Sequence, residues 1–335
     1  MGFLNRLFTR IKGAPPTDYL LVRNLPDPLG KIAGQPMPPD EVYVEVFVES
    51  LRLKAARKFT TRFHGMIYSF ITLARDGEPN AELAAITKPG NLADLDPKNL
   101  DRVITVERQL LGAVPWRGGT LSLELGLFSV KSGNLLSPVL DYVTHVSDQA
   151  GISFVGSVKP FLPLITEGLD LIAGQSADVE IEVALDTDMT LSRSELMALV
   201  AVPKDKITVA DLSVDPTDRK LLWKGKPLQE AYCVLSLRRT DHKADFGEIP
   251  ELSEGYKHFR DALKTRRRTL SEEAKGALVS AIYLSPDLIE RDKTRLVKLV
   301  EDEFKRIVTG GGISTGATAT EPLGALADLP LYPDQ

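Results

Sequence analysis

The chain has 335 residues, 43% of them hydrophobic, and a formal net charge of −5 from 41 Lys and Arg against 46 Asp and Glu. That apolar content suffices for the core of one or two domains, and the charge has the wrong sign for a general nucleic-acid binder. A single cysteine, Cys233, excludes an internal disulfide framework and a Cys-rich zinc cage, and no apolar run reaches the roughly 18 residues of a spanning helix.

The first residues read MGFLNRLFTRIK. At helical spacing Phe3, Leu4, Leu7, Phe8 and Ile11 share one face, with Arg6 and Arg10 on the other. The arginines interrupt the apolar stretch a signal peptide needs, and position 6 lacks the Ser or Thr of a myristoylation motif. The reading is a basic amphipathic helix over residues 1–13 that meets an anionic membrane, a partner or its own body. Pro26, Pro28, Gly30, Gly34, Pro36, Pro38 and Pro39 then mark a loop.

Val42, Val44, Val46 and Val48 alternate as a strand face, and Leu51 and Leu53 continue in the opposite phase. Met66 to Leu73 is apolar on both faces, which predicts a central strand. Asp76 to Pro79 forms a turn, residues 87–100 a loop, and Val103 to Val106 a short strand. In TLSLELGLFSV, Leu121, Leu123, Leu125 and Leu127 alternate before Phe128 and Val130 switch phase. A β-bulge would produce such a switch, and Gly126 is a permissive place for it. The matching switch near Leu51 predicts that these two strands lie side by side.

Ser137-Pro138 starts a helix, and the apolar face from Phe154 to Ile172, interrupted by Pro160 and Pro163, predicts two helical pieces covering a core. Val179, Ile181, Val183 and Leu185 return to strand, with a turn at Asp186–Asp188. Leu196–Val202, Ile207–Leu212, Lys220–Trp223 and Tyr232–Leu237 are short strands separated by Pro, Gly and Asp, with Gly225-Lys226-Pro227 joining the last two. From Pro250 the period becomes helical. Leu252, Tyr256, Phe259 and Leu263 mark one helix, Ser271 opens a second around Leu278 and Ile282, and Ser285-Pro286-Asp287 opens a third that ends near Gly310–Gly312.

The chemistry is sparse. The four histidines show no metal-binding spacing, and there is no G-x-S-x-G. Cys233 alternates with Leu235 and Leu237 and reads as a core thiol. Asp241, His242 and Asp245 form the densest titratable group beyond a strand end and are candidates for an acid–base pair or a Ca²⁺ loop, with a solvated turn as the competing reading. Asp186 with Asp188, and Asp94 with Asp96, are similar carboxylate pairs. Lys264, Arg266, Arg267 and Arg268 make a basic corner between helices that suits phosphate or an acidic partner, or simply a solvated helix end.

These readings combine into an α+β protein. A mostly antiparallel β-sandwich spans 17–245 with a helical insertion at 137–174, a three-helix segment spans 250–308, and a mobile tail spans 309–335. No catalytic set converges, and no metal or cofactor is expected. The functional expectation is a cytoplasmic binding or assembly subunit, a scaffold peripheral to the membrane in one version, that meets a protein partner, a second copy or an anionic membrane surface through residues 1–13 and the basic corner, and not nucleic acid. The alternatives are an enzyme with a loop-built acid–base site and a membrane-active effector using the amphipathic segments.

Overall fold

The computed structural model describes residues 19–54, 57–58, 61–75, 80–86, 104–131, 155, 179–203, 205–265 and 267–310. The amphipathic 1–13 segment, all of the 137–174 insertion but Val155, the carboxylates Asp94 and Asp96, and most of the tail lie outside these residues. The described chain is a strand-dominated α+β fold of antiparallel sheets with three helices at its C-terminal end. It divides into two compact units. The first takes the described residues up to Pro39, Val44–Gly112 and Trp116–Arg239; the second takes Asp40–Tyr43, Ala113–Pro115 and the described residues from Thr240 onward.

The strands are β1 (Leu20–Leu25), β2 (Tyr43–Arg52), β3 (Arg57–Lys58), β4 (Thr61–Leu73), β5 (Ala81–Ile86), β6 (Ile104–Pro115), β7 (Leu121–Lys131), β8 (Val179–Met189), β9 (Glu195–Val200), β10 (Leu212–Val214), β11 (Leu221–Trp223), β12 (Lys226–Pro227) and β13 (Tyr232–Thr240). One sheet runs β1-β9-β13-β2-β6, a second runs β3-β4-β7-β8 with β5 also on β4, and a small third runs β10-β11-β12.

The leucine alternation in β7 behaves as its period dictates: Leu121, Leu123, Leu125 and Leu127 are buried. From Leu125 to Ser129 every residue is buried, so the phase switch marks the point where β7 becomes covered on both faces. The register against β8 slips at this same point, because Leu127 faces Val183 while Phe128 faces Ile181. The extra residue is Glu182 on β8, not Gly126, and its carboxylate accepts the Lys54 N–H at 3.0 Å. β4 keeps an unbroken register with β7 and is buried on both faces, as expected of a central strand.

Several expectations are corrected. β2 and β7 do not pair: β2 lies between β13 and β6, and β7 between β4 and β8. A phase switch records how burial changes along one strand and carries no information about its neighbour. Asp186 and Asp188 do not turn the chain. They face outward on β8, which ends the β3-β4-β7-β8 path, and charge there discourages further strand pairing. The short strand near 103–106 extends through β6 to Pro115. Residues 207–212 are not a strand, since Asp211 N–H bonds Thr208 C=O in a 3₁₀ turn that leads into β10. Lys224 and Gly225, at φ 53° and 73°, form the two-residue turn joining β11 to β12.

The helices are α1 (Pro250–Lys264), α2 (Arg268–Leu284) and α3 (Glu290–Gly310). The buried residues of α1 are Leu252, Tyr256, Phe259 and Leu263, the four its spacing singles out. α2 begins at Arg268, and Ser271 sits inside it with its hydroxyl donating to Arg267 and Ala262 carbonyls at 3.0 and 3.3 Å. Ser285 does not cap α3. Its oxygen accepts the Asp287 N–H at 3.3 Å in a turn, and α3 starts after Ile289. The Ile289 N–H goes instead to the Tyr43 hydroxyl, 246 residues away, at 3.2 Å. A distant side chain supplies the cap, so local spacing misplaces the start.

Candidate functional site

The candidate acid–base loop turns its charge inward. His242 is exposed, whereas the neighbouring Lys243 is fully buried. Lys243 Nζ donates to the Ala113 carbonyl at 2.6 Å and lies 3.3 Å from Asp245 Oδ1. Arg291 donates to the Asp241 carbonyl oxygen, and Phe246 is buried at the start of a 3₁₀ turn leading into α1. The structure therefore brings Asp245 to Lys243, and the pair anchors the loop. Among the described residues no cluster of three or more His, Cys, Asp or Glu is placed to hold a metal ion.

A second buried group in this unit was not visible as a pattern. Asp292, fully buried in the first turn of α3, accepts from the Tyr43 hydroxyl at 2.6 Å. A carboxylate there suits the positive end of the helix dipole, so the Tyr43 hydroxyl and Asp292 together fix where α3 begins.

The first unit holds a denser charge cluster. Glu49 on β2, 2% exposed, accepts from the Ser236 hydroxyl and from Arg238 at 2.7 Å. Arg238 also reaches Glu107 at 3.2 Å and lies over the Phe47 ring at 4.1 Å. Arg219 stands 3.9 Å from both Glu49 and Asp27. Asp27 accepts backbone N–H groups of Leu29, Ile32 and Ala33. Burial works to lower the pKa of the Arg238 guanidinium, but the hydrogen bond and charge of Glu49, with help from Glu107, raise it overall. Each charge in the cluster meets an opposite charge within it. Such a group fixes strands and turns and does not poise a proton for transfer. The signal available in the sequence was Glu45 and Glu49 on the non-valine face of β2.

The basic corner is locally partnered. Lys264 donates to Asp261 at 2.8 Å and Arg268 to Glu272 at 2.8 Å. The Lys264 hydrogen bond and charge hold the Asp261 carboxyl below its ordinary value. Arg267 is exposed, and Arg266 lies outside the described residues, as do Phe3, Leu4, Arg6, Leu7, Phe8, Arg10 and Ile11.

The surface feature that stands apart is α2. Its inner face carries Ser271, Leu278 and Ile282, with Leu278 against Gly255 of α1 and Lys275 over the Phe304 ring of α3. An outer strip beside it carries Leu270, Ala274, Ala277, Ala281 and Leu284, spaced 4-3-4-3, of which Leu270, Ala277 and Leu284 are exposed and Ala274 and Ala281 half-buried. Leu270 is 41% exposed, Tyr283 47% and Leu284 81%. Among the described residues, three of the five exposed large apolar side chains are thus on this one helix. Sequence reasoning placed Leu278 and Ile282 inside but passed over Leu270 and Leu284, because an apolar residue in a helix reads as core until its neighbours are placed.

No protein-family model, curated protein or solved structure matches the chain. Among the described residues no helix is long and apolar enough to cross a membrane.

Proposed function

We propose that this protein is a non-catalytic binding or assembly subunit and that it works through a protein–protein contact at the outer face of α2. The observation that supports this reading is the solvent exposure of Leu270 and Leu284 along one strip of a helix whose Leu278–Ile282 face is already packed. An apolar strip left in water stabilises nothing in the isolated chain, and burying it against a partner is favourable by about 25 cal/mol per Å². The charge clusters support the same reading, since Lys243–Asp245 and Glu49–Arg238 use their groups to hold structure. The setting we propose is the cytoplasm, in keeping with the buried, unpaired Cys233 thiol.

The test is site-specific photocrosslinking in the cells that make the protein. A photoreactive residue replacing Ala277 should give a discrete adduct that disappears when Leu284→Lys is added. The same residue replacing Glu301, exposed on α3, should give none. No adduct at Ala277, or equal adducts at both positions, would overturn the proposal.

A further inference from the structure

We infer that the β3–β4 ribbon of the first unit is a docking element that meets an anionic lipid surface end-on. The ribbon belongs to the first unit and α2 to the second, so the two surfaces are tested separately.

The charge is visible in the sequence and gathered by the register. From Leu51 to Arg75 the chain carries Arg52, Lys54, Arg57, Lys58, Arg62 and Arg75 and no Asp or Glu, although its net charge is −5. Two of the six are engaged elsewhere: Arg52 donates to Gln229 Oε1 at 2.9 Å, and Arg75 is buried just past the other end of β4. The other four fall at one end of the sheet. Arg57 lies directly opposite Arg62, and Lys58 opposite Thr61. Lys54 is exposed where the chain leaves β2. β7 ends at Lys131, opposite Phe63 and one residue along from Arg62. Among the described strands Thr61 and Arg62 pair with β3 alone, so the ribbon runs past the last β4–β7 pair.

Two arginines at directly opposed positions repel each other and cost the fold stability. An anionic surface that takes up both charges offsets this cost. Each cation held at an anionic bilayer contributes roughly a fivefold gain in binding.

The direction of charge along the sheet selects the partner. The face shared by Arg57 and Arg62 continues along β4 through Met66, Tyr68, Phe70 and Thr72. Phe70 lies opposite Glu124, which lies opposite Asp186. Thr72 lies opposite Glu82 and Ser122, and Ser122 opposite Asp188. Four carboxylates therefore mark the far end of the face that begins with the arginines. A nucleic acid laid along it would run from the cations onto these carboxylates and be repelled. A flat surface met end-on touches the ribbon alone. From Arg62 to Phe70 is about 26 Å at 3.3 Å per residue, roughly three Debye lengths at physiological salt. Of the carboxylates nearer the ribbon, Glu180 lies opposite Ser129 on the other face, and Glu182 is engaged by the Lys54 N–H.

The experiment is vesicle sedimentation with the purified full chain. The unmodified protein should pellet with vesicles of equal parts phosphatidylcholine and phosphatidylglycerol, stay in solution with phosphatidylcholine alone, and be released as salt is raised. Arg57→Glu with Arg62→Glu should weaken binding at least about tenfold. Arg57→Lys with Arg62→Lys should keep it within about threefold, because a bilayer reads charge and not the guanidinium fork. Asp186→Ser with Asp188→Ser should leave it unchanged, because those positions stand clear of the surface. Arg57→Glu alone replaces a like-charge pair with an opposite-charge pair, so its thermal melt should be no lower than that of the unmodified protein while its binding drops. That variant keeps the test open should the double reversal fail to fold. No sedimentation with phosphatidylglycerol, or undiminished sedimentation of Arg57→Glu, overturns the inference. A gain in binding from Asp186→Ser with Asp188→Ser also overturns it, since the face would then lie along the surface. Retention of the unmodified protein by a single-stranded RNA but not by the vesicles assigns the ribbon to nucleic acid and overturns it as well.

Discussion

The Glu49 cluster of the first unit and the outer face of α2 in the second treat an unfavourable surface in opposite ways. Around Glu49, buried charges are matched inside the unit: Ser236, Arg238 and Arg219 surround the carboxylate, and Phe47 covers the guanidinium of Arg238. On α2, apolar side chains remain in water with no cover among the described residues. A buried ion costs several kcal/mol if left alone, so folding must satisfy it within the chain. An exposed leucine costs far less and can await a partner. The contrast teaches that a buried charge must find its partner within the unit, whereas an apolar side chain can stay exposed at little cost, and it is on the second kind of surface that we place the proposed contact.

The strongest way to break the comparison is Glu49→Ala. It removes the counter-charge of Arg238 and the acceptor of Ser236, and it should lower stability by about 3–5 kcal/mol in urea unfolding followed by tryptophan fluorescence. A loss below about 1 kcal/mol would class the cluster with ordinary surface pairs. Alkaline pH tests the same unit through Tyr232, a buried phenol that bonds the Leu221 N–H at 3.1 Å. Its pKa is raised from 10.0 to about 12, mainly by burial. The folded state therefore holds the phenol proton more tightly than the unfolded one. This contribution is fully present below pH 10 and is lost as pH rises toward about 12, amounting to about 2–3 kcal/mol. Unfolding free energies measured across that range should fall, and Tyr232→Phe should flatten the fall.

In the second unit, Tyr43→Phe removes both the bond to Asp292 and the cap on Ile289, for an expected loss of about 1–3 kcal/mol in a thermal or urea melt. An unchanged melt would show that α3 fixes its own start. The smallest effect is expected at the outer face itself. Leu284→Lys should change stability by no more than about 0.5 kcal/mol, because the side chain touches little. A larger loss would mean that Leu284 belongs to the core and would remove the contrast altogether.

Much of the fold was legible because periodicity reports burial. The α1 positions Leu252, Tyr256, Phe259 and Leu263, the central place of β4 and the change of phase at Leu127–Phe128 were all read from spacing and are found in the structure. The errors share a cause. Asp186 and Asp188 read as a turn because aspartate is rare in strands, yet they lie outward on β8. Ser285 read as a cap because its spacing is right, yet Tyr43 holds the Ile289 N–H. Spacing in the Asp241–Asp245 loop likewise gave no sign that Lys243 folds inward to the Ala113 carbonyl.

By itself the sequence determined the apolar faces of β2, β7 and α1, because each follows from the order of side chains along one strand or helix, and its single cysteine excluded an internal disulfide. Only the tertiary structure decided which strands pair, which charges neutralise each other across some 130 to 190 residues, and which apolar side chains of α2 stay in water. Those outcomes depend on which distant segment comes to rest against a given side chain, and no local period encodes that.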